Sequence, residues 1–325
     1  LHKEYRRQRQ MCIRDRYISI ALLATFFMGS CEKMEVDYDA IPVGDDMAQF
    51  QIGHYTPVTT SAENNIYKVE LDGKLLANNT NVLKYYNTIP GASRFYYAKP
   101  GKANLKLYQG TDLKLVFDQD ITLIKGKQNV IVHDYNTSPI ILERNFDIPY
   151  PLDPSKATFD TDTIGYIRFI NLMYENEGQP TTMKLQYQYQ YTLHPLYTNA
   201  DKDAGLIPDG KKVGDATGDA TKSVWLNLGS PVAFGESTGF QPVPVKKTTY
   251  IAQGAARIDF RIVVTAANGG VPGETVMDNV DWLLKVNGKL YTDYWNITIG
   301  RYTTHYFAGL RNKATVVKAY SYAEH

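Results

Sequence analysis

The chain has 325 residues, 43% of them hydrophobic, and its 35 Lys and Arg balance 34 Asp and Glu. That balance argues against a nucleic-acid partner, which a strongly basic surface would announce. The length allows one or two ordinary cores at roughly 100–200 residues per domain, and two is the expectation. With only Cys12 and Cys31, stability has to come from burial and not from a disulfide framework.

Residues 1–16 stand apart from the rest of the chain: LHKEYRRQRQ precedes Met11, and the string MCIRDR at Met11 to Arg16 resembles a translated sequencing-adapter artefact. They are no part of the expected fold. Tyr17 to Met28 is uncharged, comes after Arg14 and Arg16, and runs into Gly29, Ser30 and Cys31. A bilayer span takes roughly 20 apolar residues, so this shorter run reads as the hydrophobic part of a signal peptide over residues 17–30. Its end resembles the lipobox of bacterial lipoproteins, with Met28 where Leu is usual. The resemblance implies cleavage before Cys31, a diacylglycerol on its thiol, and a protein anchored to a membrane and not embedded in it. Without residues 1–30 the chain keeps 29 basic and 32 acidic side chains, a net charge of −3.

Residues 31–47 contain Glu32, Glu35, Asp37, Asp39, Asp45 and Asp46 against Lys33, with Pro42 and Gly44. This is the composition of a flexible tether. An acidic stretch after a lipidated cysteine also resembles the export signal that carries Bacteroidota lipoproteins to the outer face of the outer membrane, which implies a surface location. An ordinary solvated leader is the equal alternative.

From residue 48 to 145 short β-branched and aromatic runs alternate with polar residues, as in Phe50-x-Ile52, Tyr67-x-Val69-x-Leu71 and Leu113-x-Leu115-x-Phe117. Period two without helical periodicity predicts an all-β unit. Asp72-Gly73, Gly126-Lys127 and Asn287-Gly288 read as hairpin turns. Residues 146–163 hold Pro149, Pro151 and Pro154 and read as a semi-extended linker; within it Asp162-Thr163-Ile164 resembles the short O-glycosylation acceptor of Bacteroidota, which marks Thr163. Residues 164–325 repeat the pattern. FQIGHYTP near Phe50 corresponds to YIRFINLM near Tyr166, KPGKANLKLY to AQGAARIDFRI, and ITLIKGKQNVIVHDY to ITIGRYTTHYFAGL, with insertions at 197–222 and 229–247. The expected architecture is two β-sandwich domains in tandem.

His54-x-x-Pro57, VELDGK at Val69 to Lys74, Pro90-Gly91, Pro100-Gly101 and a strand–Gly–strand ending in His133-Asp134-Tyr135 resemble an uncharacterised Ig-like repeat domain of secreted bacterial proteins. Such domains are often in tandem and occur in Bacteroidota lipoproteins. The resemblance covers residues 49 to about 142; the second half, with Asn171-Leu172-Met173 in place of the His and Pro, matches in its opening and closing strands. It implies fold and location and brings no catalytic residues.

Tyrosine is the compositional outlier, at 25 residues. In LQYQYQYTL, period two sets Leu185, Tyr187, Tyr189, Tyr191 and Leu193 on one face, and the flanking leucines turn that face to the core. The adjacent pairs Tyr85-Tyr86 and Tyr96-Tyr97 differ, because neighbours on a strand point to opposite faces and one ring of each pair has to stay outside. Exposed tyrosines suit sugar or peptide contact, so Tyr85, Tyr86, Tyr96 and Tyr97 are the ligand-binding candidates, assisted by the 197–222 loop. In that loop Asp201, Asp203 and Asp209 take positions 1, 3 and 9 of a calcium-loop template, but Lys212 holds the position of the bidentate Glu; a solvated loop is the favoured reading, calcium the lesser one. His54, His133, His194 and His305 have no metal-binding spacing, and no nucleophile elbow or phosphate loop is present. Glu175 and Glu177 remain open as an acid/base pair. The expectation is a surface-exposed, lipid-anchored, non-catalytic protein without cofactor that captures a glycan or peptide, as an accessory to an outer-membrane nutrient importer. A structural or adhesive module with an outer-membrane protein partner is the alternative, and a glycan hydrolase the third reading.

Overall fold

The computed structural model describes residues 46–59, 61–91, 94–144, 163–252, 254–265, 284–286, 289–311 and 318–323. Cys31, the leader, the tether up to residue 45 and most of the 146–163 segment lie outside these residues. Among the described residues the regular structure is almost entirely strand; the α-helix is the short α1 (Asn199–Asp203), and no helix is long and apolar enough to cross a membrane.

The first half supplies β1 (Ala48–His54), β2 (Ile66–Leu71), β3 (Lys74–Ala77), β4 (Asn87–Ile89), β5 (Tyr96–Ala98), β6 (Gly101–Gln109), β7 (Lys114–Leu123), β8 (Gly126–Val132) and β9 (Ile140–Glu143). One sheet runs β4-β1-β8-β9, with β5 also on β1, and the other runs β3-β2-β6-β7. The second half supplies β10 (Thr163–Asn176), β11 (Gln179–Pro180), β12 (Lys184–Leu193), β13 (Thr221–Lys222), β14 (Leu226–Asn227), β15 (Ser237–Val245), β16 (Tyr250–Ala252), β17 (Ala255–Thr265), β18 (Lys285–Val286), β19 (Lys289–Leu290), β20 (Thr292–Thr298), β21 (Tyr302–Leu310) and β22 (Lys318–Ala323). Its sheets run β11-β10-β21-β22, with β15 on β10, and β13-β12-β17-β16, with β14 on β12 and β20 on β17.

The pairing pattern repeats. β1 lies parallel to β8 as β10 lies parallel to β21, and the antiparallel run β2-β6-β7 has its counterpart in β12-β17-β20. The strand correspondences expected from the sequence hold, with one register change. Phe50 faces a core while Tyr166 does not, so β1 matches β10 through Ile167 and Phe169, an odd shift from the pairing of Phe50 with Tyr166. Asp72 and Gly73, at φ 50° and 76°, make the expected β2–β3 hairpin. Gly126-Lys127 does not close a hairpin, because β7 and β8 belong to different sheets and the segment crosses between them. Asn287-Gly288 lies outside the described residues.

In each half the apolar faces of the two sheets share one core, which makes a β-sandwich. Phe50, Ile52 and Val130 meet Val69, Leu105 and Phe117 in the first; Phe169 and Phe307 meet Tyr187, Ile258, Phe260 and Ile297 in the second. The other faces of the two parallel pairs, which would be solvated in an isolated sandwich, turn toward each other. Tyr55 stacks on Tyr306 at 4.3 Å between centroids, and Asn129 Nδ2 donates to the Tyr306 hydroxyl over 2.9 Å. Arg168 Nη1 donates to the Glu143 carbonyl over 3.0 Å. Tyr86, Ile131, Ile170, Leu172 and Ala308 complete this seam. Parallel strands are ordinarily covered on both faces, and β21 accordingly is buried at all nine of its positions.

Candidate functional site

The four candidate tyrosines separate into different environments. On β5 parity holds: Tyr96 packs 5.7 Å from Phe50 and its hydroxyl donates to the Leu76 carbonyl, while Tyr97 stays 45% exposed. Tyr85-Tyr86 lies in a turn and not on a strand. Tyr86 adopts φ 54°, which breaks the alternation, and its N–H bonds to the His54 carbonyl. Its ring is therefore buried in the seam, its hydroxyl donates to the Val58 carbonyl, and burial pushes that hydroxyl up to about 12. Tyr85 packs edge-on against it. Tyr86 is thus a core residue, buried where the sequence left one ring of the pair outside. The pairs also flank opposite ends of β1, near His54 and near Phe50, so they form no common platform.

Tyr187, Tyr189 and Tyr191 are buried in the second core, as the flanking leucines implied. Asp201 accepts from the Thr198 hydroxyl and N–H in a capping box at the start of α1, and these bonds hold its carboxyl below the usual range. Its oxygens serve the helix end; among the described residues no group of three His, Cys, Asp or Glu, with or without Asp203 and Asp209, is gathered around a metal-sized space. Thr163 opens β10 opposite Val245. His54 sits between the Thr56 and Tyr135 hydroxyls, and His305 meets the Tyr187 hydroxyl. Burial pushes both histidines down to about 3, and each belongs to a different core. His133 contacts the Tyr174 hydroxyl at 3.0 Å. Glu175 is held by Thr181 and Arg311, leaving Glu177 exposed in the following turn.

The face that gathers chemistry is the outer one of β12-β17-β20. Alternation sends the core set inward and leaves Gln186, Gln188 and Gln190 of β12, Arg257, Asp259 and Arg261 of β17, and Thr292, Tyr294 and Asn296 of β20 on the other side. Strand register then composes rows. Gln190 pairs with Asp259 and Asp259 with Tyr294; Gln188 pairs with Arg261 and Arg261 with Thr292. Asp259 accepts from Lys222 Nζ and from Arg257 Nε, the latter at 3.2 Å. The Arg257 guanidinium lies 4.1 Å from the Tyr294 centroid and that of Arg261 lies 4.3 Å from the Trp225 ring, cation–π contacts that hold both rings in place. Tyr294 keeps 53% of its surface exposed. Gln190, Trp225, Arg257, Asp259, Asp293 and Tyr294, with Thr292, line a cavity of about 420 Å³. Gln186 and Gln188 are more enclosed than their parity alone implies, because the Leu228 and Gly229 carbonyls, Asn227 and Arg261 take up their amides.

These residues were not among the candidates, although one signal for them was present. Tyr294-Trp295 is an adjacent aromatic pair on a strand, and parity sends Trp295 inward against His305 at 5.4 Å and Tyr294 out. A second cavity, about 440 Å³ between the 229–232 and 236–238 segments, contains no aromatic ring. Compared with known proteins, the chain matches no protein-family model and no curated protein.

Proposed function

We propose that the protein is a non-catalytic capture module for a glycan or peptide, held at the outer membrane by a lipid on Cys31 and built from two Ig-like units in tandem. The observation that carries the capture reading is the outer face of β12-β17-β20. Two aromatic rings, a guanidinium, a carboxylate and a carboxamide converge there on one cavity within the size range of small-ligand sites. The repeated strand order supports the tandem arrangement, and the uncharged run ending in Gly29-Ser30-Cys31 supports the anchor. A role beside a nutrient importer is an association from location and fold class.

Calorimetry of the full chain against glycan and peptide panels tests capture; binding has to weaken on Tyr294→Ala while the unfolding midpoint stays in place. Absence of binding across both panels moves the reading to the structural or adhesive module. For the anchor, Cys31→Ser in the native host is expected to release the protein from the membrane fraction. A wild-type protein that carries no lipid by mass spectrometry refutes it.

A further inference from the structure

The geometry points to a neutral oligosaccharide as the ligand of the β12-β17-β20 face, contacted by Trp225 and Tyr294 through their rings and by Gln190, Arg257, Asp259 and Thr292 through hydrogen bonds. This inference rests on the capture reading and narrows it to one ligand class.

Charge decides against ionic ligands. Asp259 is already shared by Lys222 and Arg257. An anion would have to displace Asp259 from Lys222 and Arg257 and then sit beside its carboxylate. A cation would meet Lys222 and Arg257. An uncharged ligand leaves the ion pairs intact and can bond to both members of each, since a hydroxyl donates to a carboxylate and accepts from a guanidinium. Gln190 and Thr292 offer a donor and an acceptor each. Such alternation of donors and acceptors across neighbouring rows of one sheet suits the vicinal hydroxyls of a sugar.

On the floor of the cavity the backbone decides against a peptide added as a strand. β17, the floor of the cavity, is laddered to β12 on one side and to β20 on the other, so it has no open edge to which an extended chain could pair. Over that floor recognition has to come from side chains, and a peptide that adds to the other edge of β20, which is laddered to β17 alone among the described strands, is read by the peptide arm of the test below. Tyr294, more than half exposed and oriented by Arg257, presents a flat apolar surface with a polar tip, which matches the apolar face of a pyranose. A cavity of about 420 Å³ accepts a short segment of a longer chain.

The test is calorimetry of the full chain with neutral xylo-, cello-, manno- and malto-oligosaccharides, with oligogalacturonides, and with a set of unstructured peptides, each at low and high salt. The expected result is binding of a neutral oligosaccharide whose Kd changes by less than about twofold with salt. Truncating a contact ring is expected to weaken it by roughly 5- to 150-fold in Tyr294→Ala and Trp225→Ala, and the isosteric Asp259→Asn is expected to weaken it too. An unchanged thermal midpoint in Tyr294→Ala separates lost contact from lost fold. Oligogalacturonide binding with steep salt dependence, abolished by Tyr294→Ala, overturns the neutral class and leaves capture standing. A peptide that behaves in the same way overturns the sugar and leaves capture standing. A neutral sugar that binds Tyr294→Ala and Trp225→Ala as tightly as the unaltered chain overturns this site, and no binding to any probe overturns both readings.

Discussion

The outer faces of the two sandwiches occupy corresponding positions in the repeated topology and carry opposite chemistry. On β2-β6-β7 the side chains satisfy one another. Lys68 pairs with Glu70 at 2.7 Å and Lys106 with Asp118 at 3.2 Å, Asn104 bonds to Asp118 and Asp120, and the Tyr108 hydroxyl donates to Glu70 while Lys68 covers its ring at 4.5 Å. On β12-β17-β20 the ion pairs surround a cavity and leave Tyr294 exposed. One scaffold thus presents a face of mutually satisfied side chains and a face with a cavity, the one proposed for recognition, and a handful of side chains makes the difference.

The largest effect expected from breaking this comparison comes from separating the halves. The seam buries Tyr55, Tyr86 and Ile131 of one half against Ile170, Leu172 and Tyr306 of the other, each worth about 1.5–3 kcal/mol if fully removed from water. Fragments 46–144 and 163–323 are each expected to unfold cooperatively in urea, because each keeps its own core, but at midpoints well below that of the whole chain. Fragments as stable as the whole would mean that the seam contributes nothing; fragments that do not fold at all would refute the tandem reading.

Next in size is the contrast between an inward and an outward ring of the second half. Tyr187 stacks on Phe260 at 4.8 Å and its hydroxyl meets His305 at 3.2 Å, so Tyr187→Ala is expected to cost ~3–5 kcal/mol of stability. Tyr294→Ala is expected to change stability by less than about 0.5 kcal/mol. Equilibrium denaturation of both variants checks the pair, and equal costs would contradict the assignment of the two faces.

The all-β class and the strand correspondences were legible because alternation is a local property: Phe50-x-Ile52 and Leu185-x-Tyr187 declare a buried face within a few residues. The seam was not. Gln51, Asn129, Arg168 and Thr304 are buried polar residues on strands, and in sequence a polar second face looks the same whether water or another sheet covers it. The candidate site failed to show for a related reason. Parity distinguishes Tyr294 from Trp295 as it does Tyr97 from Tyr96, but only ladder register brings Asp259 and Gln190 into the row of Tyr294. Parity also misled at Tyr85-Tyr86, where a left-handed turn at Tyr86 replaces the strand.

Acid is expected to weaken both sandwiches alike. His54 lies in the first core and His305 in the second, both neutral, with burial holding them at about 3 against the ordinary 6.5. The unfolded chain binds more protons between those values, so stability is full above pH 6.5 and falls as the pH drops toward 3, by up to about 1.4 kcal/mol per pH unit for each histidine. Urea midpoints measured from pH 7.5 to 4 are expected to fall with that sign, and less steeply in His54→Gln or His305→Gln. A midpoint that rises on acidification would contradict burial of neutral rings.

The smallest effect is expected on the solvated face. Lys106 and Asp118 are both exposed by about two fifths of their side chains, at 36% and 42%, and a pair so open to water contributes ~0–1 kcal/mol. Lys106→Ala should therefore leave stability nearly unchanged, and it should also leave ligand affinity unchanged, whereas Tyr294→Ala leaves stability but not affinity. The two substitutions touch different outer faces. If Lys106→Ala weakens binding as much as Tyr294→Ala does, the recognition surface is not confined to the second sandwich, and the charge ladder of β2-β6-β7 has to be counted as part of it.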